Sequence, residues 1–481
     1  MNRRIVFSTT GRIFCIISLL LLVPSIVAII YKETSQLFAF LITAACSLAL
    51  GLLILLITRT KNRVIYAKEG FAITALAWIA MSVVGAVPFK LSGDIPSYVD
   101  AVFETVSGFT TTGASILTDV EAMSRSMLFW RSFSHWIGGM GVLVFVMAIM
   151  PNIADRSIHI MRAEMPGPVI GKLVPRVKDT AKILYLIYIV LTVVEALFLV
   201  AGGMSIFDSL LHSFGTAGTG GFGIKGDSLA SYSPYCQWII SIFMLIFGVN
   251  FNLYYLLLIK RFKPVLKSTE LWSYVGIFGV STILITANIL PIYDRISDAL
   301  RDSVFQVASI VTTTGYATAD FNNWPAFSKG IIFVLLFSGA CAGSTAGGFK
   351  IARTVMMIKN IRREFKKLLH PRSVATIHFE GKAVEEETIK GINTYFSIYM
   401  LCILAIYILI SFEGFGFETN FTAVVSCFNN VGPGFGAVGP AGSYAAYTDF
   451  SKILLSFAML LGRLEIFPLL IALSPSNWFK K

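Results

Sequence analysis

The chain has 481 residues, 56% of them hydrophobic and only 14% charged, with 39 Phe and a mean hydropathy of +0.75. No soluble fold hides that much apolar surface, so the composition excludes a soluble globular protein and implies several membrane spans. The formal net charge of +12 does not point to nucleic acid, because the lysines and arginines gather in short loops between apolar runs, as positive-inside topology requires.

The opening MNRR and the apolar run from Phe14 to Tyr31 have the outline of a signal peptide. The run is long for one and has no small-x-small cleavage site, so a retained first helix is predicted. A spanning helix needs about 20 apolar residues. Two such spans, roughly 13–31 and 36–58, fill a first unit over 1–66. Four units of one plan follow, over 67–155, 156–265, 266–375 and 376–481. Their outer spans are roughly 70–91, 182–204, 271–291 and 390–412, and their inner spans roughly 127–150, 235–259, 327–357 and 450–473. With a short re-entrant segment in each unit, this makes ten crossings, four half-crossings, and both termini on one side.

The re-entrant segments share a pattern. A residue able to cap a helix is followed by an apolar stretch, a run of Thr, Gly or Asn, and a glycine thirteen positions on. The copies are DAVFETVSGFTTTG (Asp100 to Gly113), DSLLHSFGTAGTGG (Asp208 to Gly221), DSVFQVASIVTTTG (Asp302 to Gly315) and TNFTAVVSCFNNVG (Thr419 to Gly432). Asp or Thr caps the start. About ten residues of helix then cover half the bilayer, with the negative end of the dipole aimed at its centre. The chain must return in extended form, which is tolerated at that depth only where it lines a cavity. There its carbonyls can replace the hydration shell of a cation. The expected donors are Thr111, Thr112, Thr219, Gly220, Thr313, Thr314, Asn430 and Val431, with Gly113, Gly221, Gly315 and Gly432 beside them to permit positive φ or close approach of four backbones. One such loop would be an ordinary Gly/Thr-rich turn. Four at one spacing, all on one side, make a pore that is only pseudo-four-fold, since the copies differ. The predicted class is an all-α polytopic membrane protein: four pseudo-symmetric helix–pore-helix–helix repeats, potassium-channel-like, plus two extra N-terminal transmembrane helices.

Every basic cluster falls on one face: Arg3, Arg4 and Arg12; Arg59 to Lys68; Arg156 to Lys182; Lys260 to Lys267; Lys359 to Arg372; and Lys480 with Lys481. That face is expected to be cytoplasmic. The pore segments lie on the other, with Asp94, Asp119, Glu121, Asp227, Asp294, Asp298, Asp320, Glu413, Glu418 and Asp449. These acids suggest a vestibule that concentrates cations, although singly each reads as a solvated loop residue. The six cysteines are scattered, without CxxC or Cys/His ligand spacing, and read as small core residues.

The third inner span is interrupted by eleven residues from Ser338 to Gly348, drawn only from Gly, Ala, Ser, Thr and Cys. Glycine costs about 1 kcal/mol at a helix position, so a break or loop is expected; close helix packing by small residues is the alternative. It is no phosphate loop, since GK[ST] is lacking. Lys350 and Arg353 follow, the latter read as a boundary cation. Arg463 and Glu465 lie in the last span, where ionisable residues are costly and usually functional. Glu195, also mid-span, is a candidate structural partner for such a charge, and His135 reads as a packed helix residue.

The runs TTTGAS, GTGGFG, TTTGYAT and NNVGPGFG resemble those of the Trk/Ktr/HKT superfamily of potassium transporters, and the resemblance covers essentially the whole chain. It implies potassium as the transported ion with no bound cofactor, a bacterial inner membrane, and a homodimer in membrane lipid with one pore per subunit. It also implies a TrkA-like cytoplasmic ring partner with nucleotide-binding regulatory domains. In the superfamily, serine at the first filter glycine goes with sodium; Gly113 stands here. The segment matching Ser338–Gly348 is an intramembrane loop that obstructs the pore, so Gly339, Gly343, Gly347, Gly348 and Lys350 are expected at a gate. Arg463 matches a family arginine beneath the filter; a structural pair with a buried acid is its alternative role. The basic loops are too short for a nucleotide-binding domain, so any nucleotide response must come from a separate subunit; Arg156–Lys182 and Lys359–Arg372 are its expected docking surface, because they adjoin inner spans that reach the gate. A carrier with alternating access, coupled to protons or sodium, competes with the pore, but four repeats that all run the same way favour the pore. A membrane enzyme is disfavoured, since GxSxG and HExxH are lacking.

Overall fold

The computed structural model describes residues 1–58, 66–141, 177–372 and 375–478. Six helices in it are long and apolar enough to cross a membrane: Arg3–Ile30, Thr34–Ile57, Lys68–Ser92, Thr180–Ala201, Thr269–Ile292 and Glu386–Ile410. They are the two N-terminal spans and the four outer spans. The first pair packs through Gly11 and Gly51, whose added Cβ atoms would crowd the facing helix, the small-residue contact usual between membrane helices.

The inner spans differ from expectation, because none is one continuous helix among the described residues. The first, Arg125–Gly139, leads into 142–150, which lie outside the described residues. The second bends by 89° between Pro234–Phe247 and Phe251–Leu258. Gly248 ends its first half, and Asn250 starts the second by accepting from the Asn252 amide. The third stops at Leu335 and resumes as Ile351–Leu369. The fourth bends by 120° between Asp449–Arg463 and Phe467–Leu473. There Glu465 and Ile466 are left-handed (φ 56° and 65°), and Pro468, with no N–H, sits in the first turn of the new helix. With each bent pair taken as one span, eight crossings qualify by length and apolarity, against the ten expected. The first and third inner spans make up the difference.

The four re-entrant helices are Tyr98–Phe109, Ile206–Gly218, Ile296–Val311 and Phe417–Asn429. They run to 12, 13, 16 and 13 residues, longer than the expected ten, because each starts earlier than the residue assigned as its cap. Ser97 and Ser205 are the true N-caps, accepting from the Asp100 and Asp208 amides, while Arg295 and Gly416 precede the other two without a side-chain bond. Asp100 and Asp208 therefore sit in the first turn, where the helix dipole favours them and their carboxylates reach other elements, while Asp302 falls in the second turn of its helix. Asp100 pairs with Lys452 at 2.5 Å, and Asp208 accepts from Tyr232. A two-stranded ladder, His378–Phe379 with Lys382–Ala383, is the single departure from helix and loop among the described residues.

Candidate functional site

Each re-entrant helix ends the same way. The amide of the residue before the terminal glycine bonds back five residues: Thr112 to Ser107, Gly220 to Gly215, Thr314 to Ser309 and Val431 to Ser426, at 2.9, 2.8, 2.8 and 3.0 Å. This is a Schellman ending. The left-handed residue it requires is Thr111, Thr219, Thr313 or Asn430, at φ 54–57°, although at the three threonines the side chain costs about 1–2 kcal/mol there. Two positions on, Gly113, Gly221, Gly315 and Gly432 are also left-handed, at φ 70–98°, and the residue between is not. In a pleated strand successive groups face opposite sides. Alternating handedness undoes this, and successive carbonyls face the same way.

The four segments close into a ring in chain order. A Cβ added to Gly113 would run into the Gly220 carbonyl, one on Gly221 into Thr314, one on Gly315 into Val431, and one on Gly432 into Thr112, each within 3.0 Å. The glycines thus serve close backbone approach as well as positive φ. Among the described residues, no donor reaches the carbonyls of Thr111, Thr112, Gly113, Thr219, Gly220, Gly221, Thr313, Thr314, Gly315, Asn430 or Val431; Gly432 alone accepts, from the Tyr444 hydroxyl at 2.8 Å. The Thr, Asn and Val side chains among them are buried, while Gly113, Gly221 and Gly315 are half-buried at the mouth of the ring, and buried carbonyls are nearly always paired. An oxygen cage of this kind fits a dehydrated monovalent cation. Above it the four glycines open into one cavity of about 290 Å³.

Behind the ring stands a buried ion pair that the sequence reading missed. Arg131 Nε lies 2.5 Å from Glu104, both side chains almost fully buried. Glu104 also accepts from Ser115 Oγ and the Ile116 amide, just past the first glycine. Arg131 donates to the Gly223 carbonyl and covers the Phe222 ring at 3.7 Å, just past the second. One pair thus fixes two neighbouring segments, and a charged residue inside each of the runs VFETVSGF and FWRSFSHW was its signal. His135 is packed as expected, with Nδ1 2.7 Å from the Gly108 carbonyl and its ring against Phe222. It also explains why the second copy reads TGG. A Cβ at Gly220 would enter the imidazole, so glycine replaces the Thr, Thr and Val of the other copies.

Below the ring the chain from Leu336 to Lys350 is not α-helical and folds tightly on itself. A Cβ at Gly339 would come 2.6 Å from the Gly347 carbonyl, and one at Gly347 2.6 Å from the Asn429 carbonyl. The small residues therefore serve close backbone packing within the loop and against the fourth segment. The Gly347 amide bonds Thr313 Oγ1 at 2.8 Å. The Gly343 carbonyl takes the Phe251 amide, and the Gly248 carbonyl takes the Cys341 amide, so the loop plugs into the bend of the second inner span. Glu270, not singled out from the sequence, holds the Ala342 amide at 2.6 Å. Lys350 is buried and left-handed (φ 67°) and donates to the Ala346 carbonyl. Gly348 packs its backbone against Gly339.

Arg463 joins this layer together. It donates to the carbonyls of Thr345 (2.9 Å), Gly138 (2.5 Å) and Gly139 (2.8 Å), and to Thr111 Oγ1 (3.3 Å). Three expectations change. Arg353 is no boundary cation: it is buried, pairs with Glu465 at 2.6 Å and stacks on Tyr395. The vestibule is not acidic, for no carboxylate lines the cavity above the ring among the described residues, while Lys225 does. Asp94, Asp119, Glu121 and Glu413 instead hold loop amides. Arg363 is not a free docking charge: it is buried and bridges Glu386, Glu364 and Asn360. Glu195 is fully buried, and most of Arg156–Lys182 lies outside the described residues.

The TrkH family model, whose description is cation transport protein, matches residues 36–481. The chain is 36% identical to the Trk system potassium uptake protein TrkH of Salmonella typhimurium, over 99% of this chain and 100% of that one. It is 33% identical to the Trk system potassium uptake protein TrkG of Escherichia coli, over 99% and 98%. The crystal structure of the potassium transporter TrkH from Vibrio parahaemolyticus superposes with a TM-score of 0.89 at 32% identity, covering 100% of both chains.

Proposed function

The chain belongs to the TrkH family of cation transport proteins, and from that premise we propose that it takes up potassium, as the membrane subunit of a Trk system, through a pore formed by its own four re-entrant segments. The units 67–155, 156–265, 266–375 and 376–481 each contribute one wall. The single observation that carries this reading is the ring of eleven carbonyls that no donor reaches among the described residues, interlocked glycine to carbonyl in chain order. Such oxygens are costly to bury alone and are repaid by a cation that exchanges its hydration shell for them. The basic face is cytoplasmic and both termini lie there. The loop at Ser338–Gly348, held by Arg463, Glu270 and Thr313, is the gate beneath the filter, and the fixed charge of Arg463 at that level slows cations while the loop is in place. The chain works as a homodimer in the inner membrane under a TrkA-like ring subunit that carries the nucleotide sites. The test is rubidium-86 uptake by proteoliposomes containing the purified chain, with sodium and potassium as competitors. Potassium is expected to compete and sodium not; equal competition would overturn the filter assignment.

A further inference from the structure

The third inner helix stops at Leu335, where the chain turns in beneath the ring until Ile351. The interruption leaves the flank between the spans Thr269–Ile289 and Glu386–Ile410 without a continuous third helix. A cavity of about 1060 Å³ opens there. Its wall runs from Leu284 and Phe327, through Val280 and Val334, down to Ile358 and Ile361 on the basic side. Two wall residues, Gly276 and Gly330, have no atom within 4 Å of where a Cβ would stand. Both ends of the loop, Ser338 and Phe349, also touch the cavity.

The floor is the helix Ile351–Leu369. It carries Lys359, Arg362, Arg363, Lys366 and Lys367 on one side, while Phe365, Leu368 and Leu369 are 64–78% exposed. A basic amphipathic helix with a bare apolar face lies in the membrane interface. Arg362 stands one turn beyond Ile358, so the two share a face. It is exposed, and among the described residues no ion pair or hydrogen bond reaches it. An apolar recess running from Leu284 to Ile361, with the unpaired Arg362 guanidinium next in chain to its lining residue Ile361, has the shape and charge of one ligand: a lipid with an anionic head.

We propose that this cavity is a binding site for one anionic phospholipid of the basic-side leaflet, with an acyl chain against Gly276 and Gly330 and the headgroup phosphate on Arg362. Bidentate geometry suits guanidinium to phosphate, and each such cation favours an anionic head by about fivefold. The bound chain braces both ends of the loop from the lipid side.

Native mass spectrometry of the full-length protein tests this, with dioleoyl phosphatidylglycerol and dioleoyl phosphatidylcholine as probes. The wild-type chain is expected to retain one phosphatidylglycerol about fivefold more tightly than phosphatidylcholine. Gly276→Leu with Gly330→Leu should lose that lipid while keeping its thermal midpoint, since both side chains enter open space and favour helix. Arg362→Gln should keep a bound lipid but bind the two probes equally. The proposal is overturned if the wild-type shows no preference, or if the filled variant retains as much lipid. It is also overturned if the filled variant turns a dimer into monomers with its lipid count unchanged, which would make the groove an interface between copies.

Discussion

Arg463 on the last inner helix donates to the Thr345 carbonyl at 2.9 Å, so the end of the chain holds down the loop beneath the ring. The same guanidinium reaches Gly138 and Gly139 on the first inner helix. One side chain thereby ties the first and last inner helices to the loop in the layer beneath the ring.

If the loop is the gate, as proposed, Arg463→Gln should raise rubidium flux several-fold, and so should deletion of part of Gly339–Gly347, because the first loosens the loop and the second shortens it. Flux into proteoliposomes measures it. Level or reduced flux from folded protein would leave the loop a packing element.

Gly113→Ser places a Cβ into the Gly220 carbonyl and a side chain on left-handed backbone, at a cost of about 1–2 kcal/mol. The first and second segments must part. Selectivity for potassium over sodium should drop while the protein still folds; competition of sodium for rubidium uptake reads the change. An unaltered ratio removes Gly113 from the filter.

Gly220→Ala alone should disturb the ring, because the new methyl enters the His135 imidazole. His135→Ala alone opens a void behind it. Combined, the two changes should partly restore flux and thermal stability, with a coupling of about 0.5–3 kcal/mol. Strictly additive losses would show that the two residues do not share the site.

Glu104→Gln strands the Arg131 guanidinium in a buried setting. Removing one partner of such a pair costs about 3–5 kcal/mol. The melting temperature in detergent should fall, and selectivity should weaken with it, because both segments that the pair holds are released. A variant as stable as the wild type would show that the pair is dispensable.

If a ring subunit docks on the basic face as proposed, the charges free to meet it are narrower than the sequence suggests. Lys366→Glu with Lys367→Glu should weaken binding of the ring and its nucleotide response while leaving ion preference intact. Arg363→Ala should instead destabilise the chain, since it cuts the tie to Glu386. Pull-down and flux with and without nucleotide separate the two; normal coupling in the double variant would move the docking surface elsewhere.

The spans and the four glycines were legible because apolar length and repetition leave direct marks in sequence. Three of the Schellman endings were not, since Thr111, Thr219 and Thr313 are poor residues for left-handed backbone by propensity and the ring overrules it; Asn430 alone carried the usual signal. The bends of the second and fourth inner spans were missed because hydropathy does not register a turn capped by Asn250 or restarted at Pro468. The vestibule was misread because counting acids on one face says nothing of which amides they hold. Glu104 and Arg131 left a signal, two charges inside apolar runs, that could have been paired.

The interlock from Gly432 back to Thr112 closes the circle within a single polypeptide. Defects in such a pore do not multiply as they would where four separate chains each lend one wall. If the chain pairs as proposed, with one pore in each copy, a copy with a broken filter in a mixed dimer subtracts its own conduction and leaves its companion's untouched. Activity should then fall in direct proportion to the share of defective copies. Each of the four walls is also free to change by itself, as the second has done in making room for a histidine.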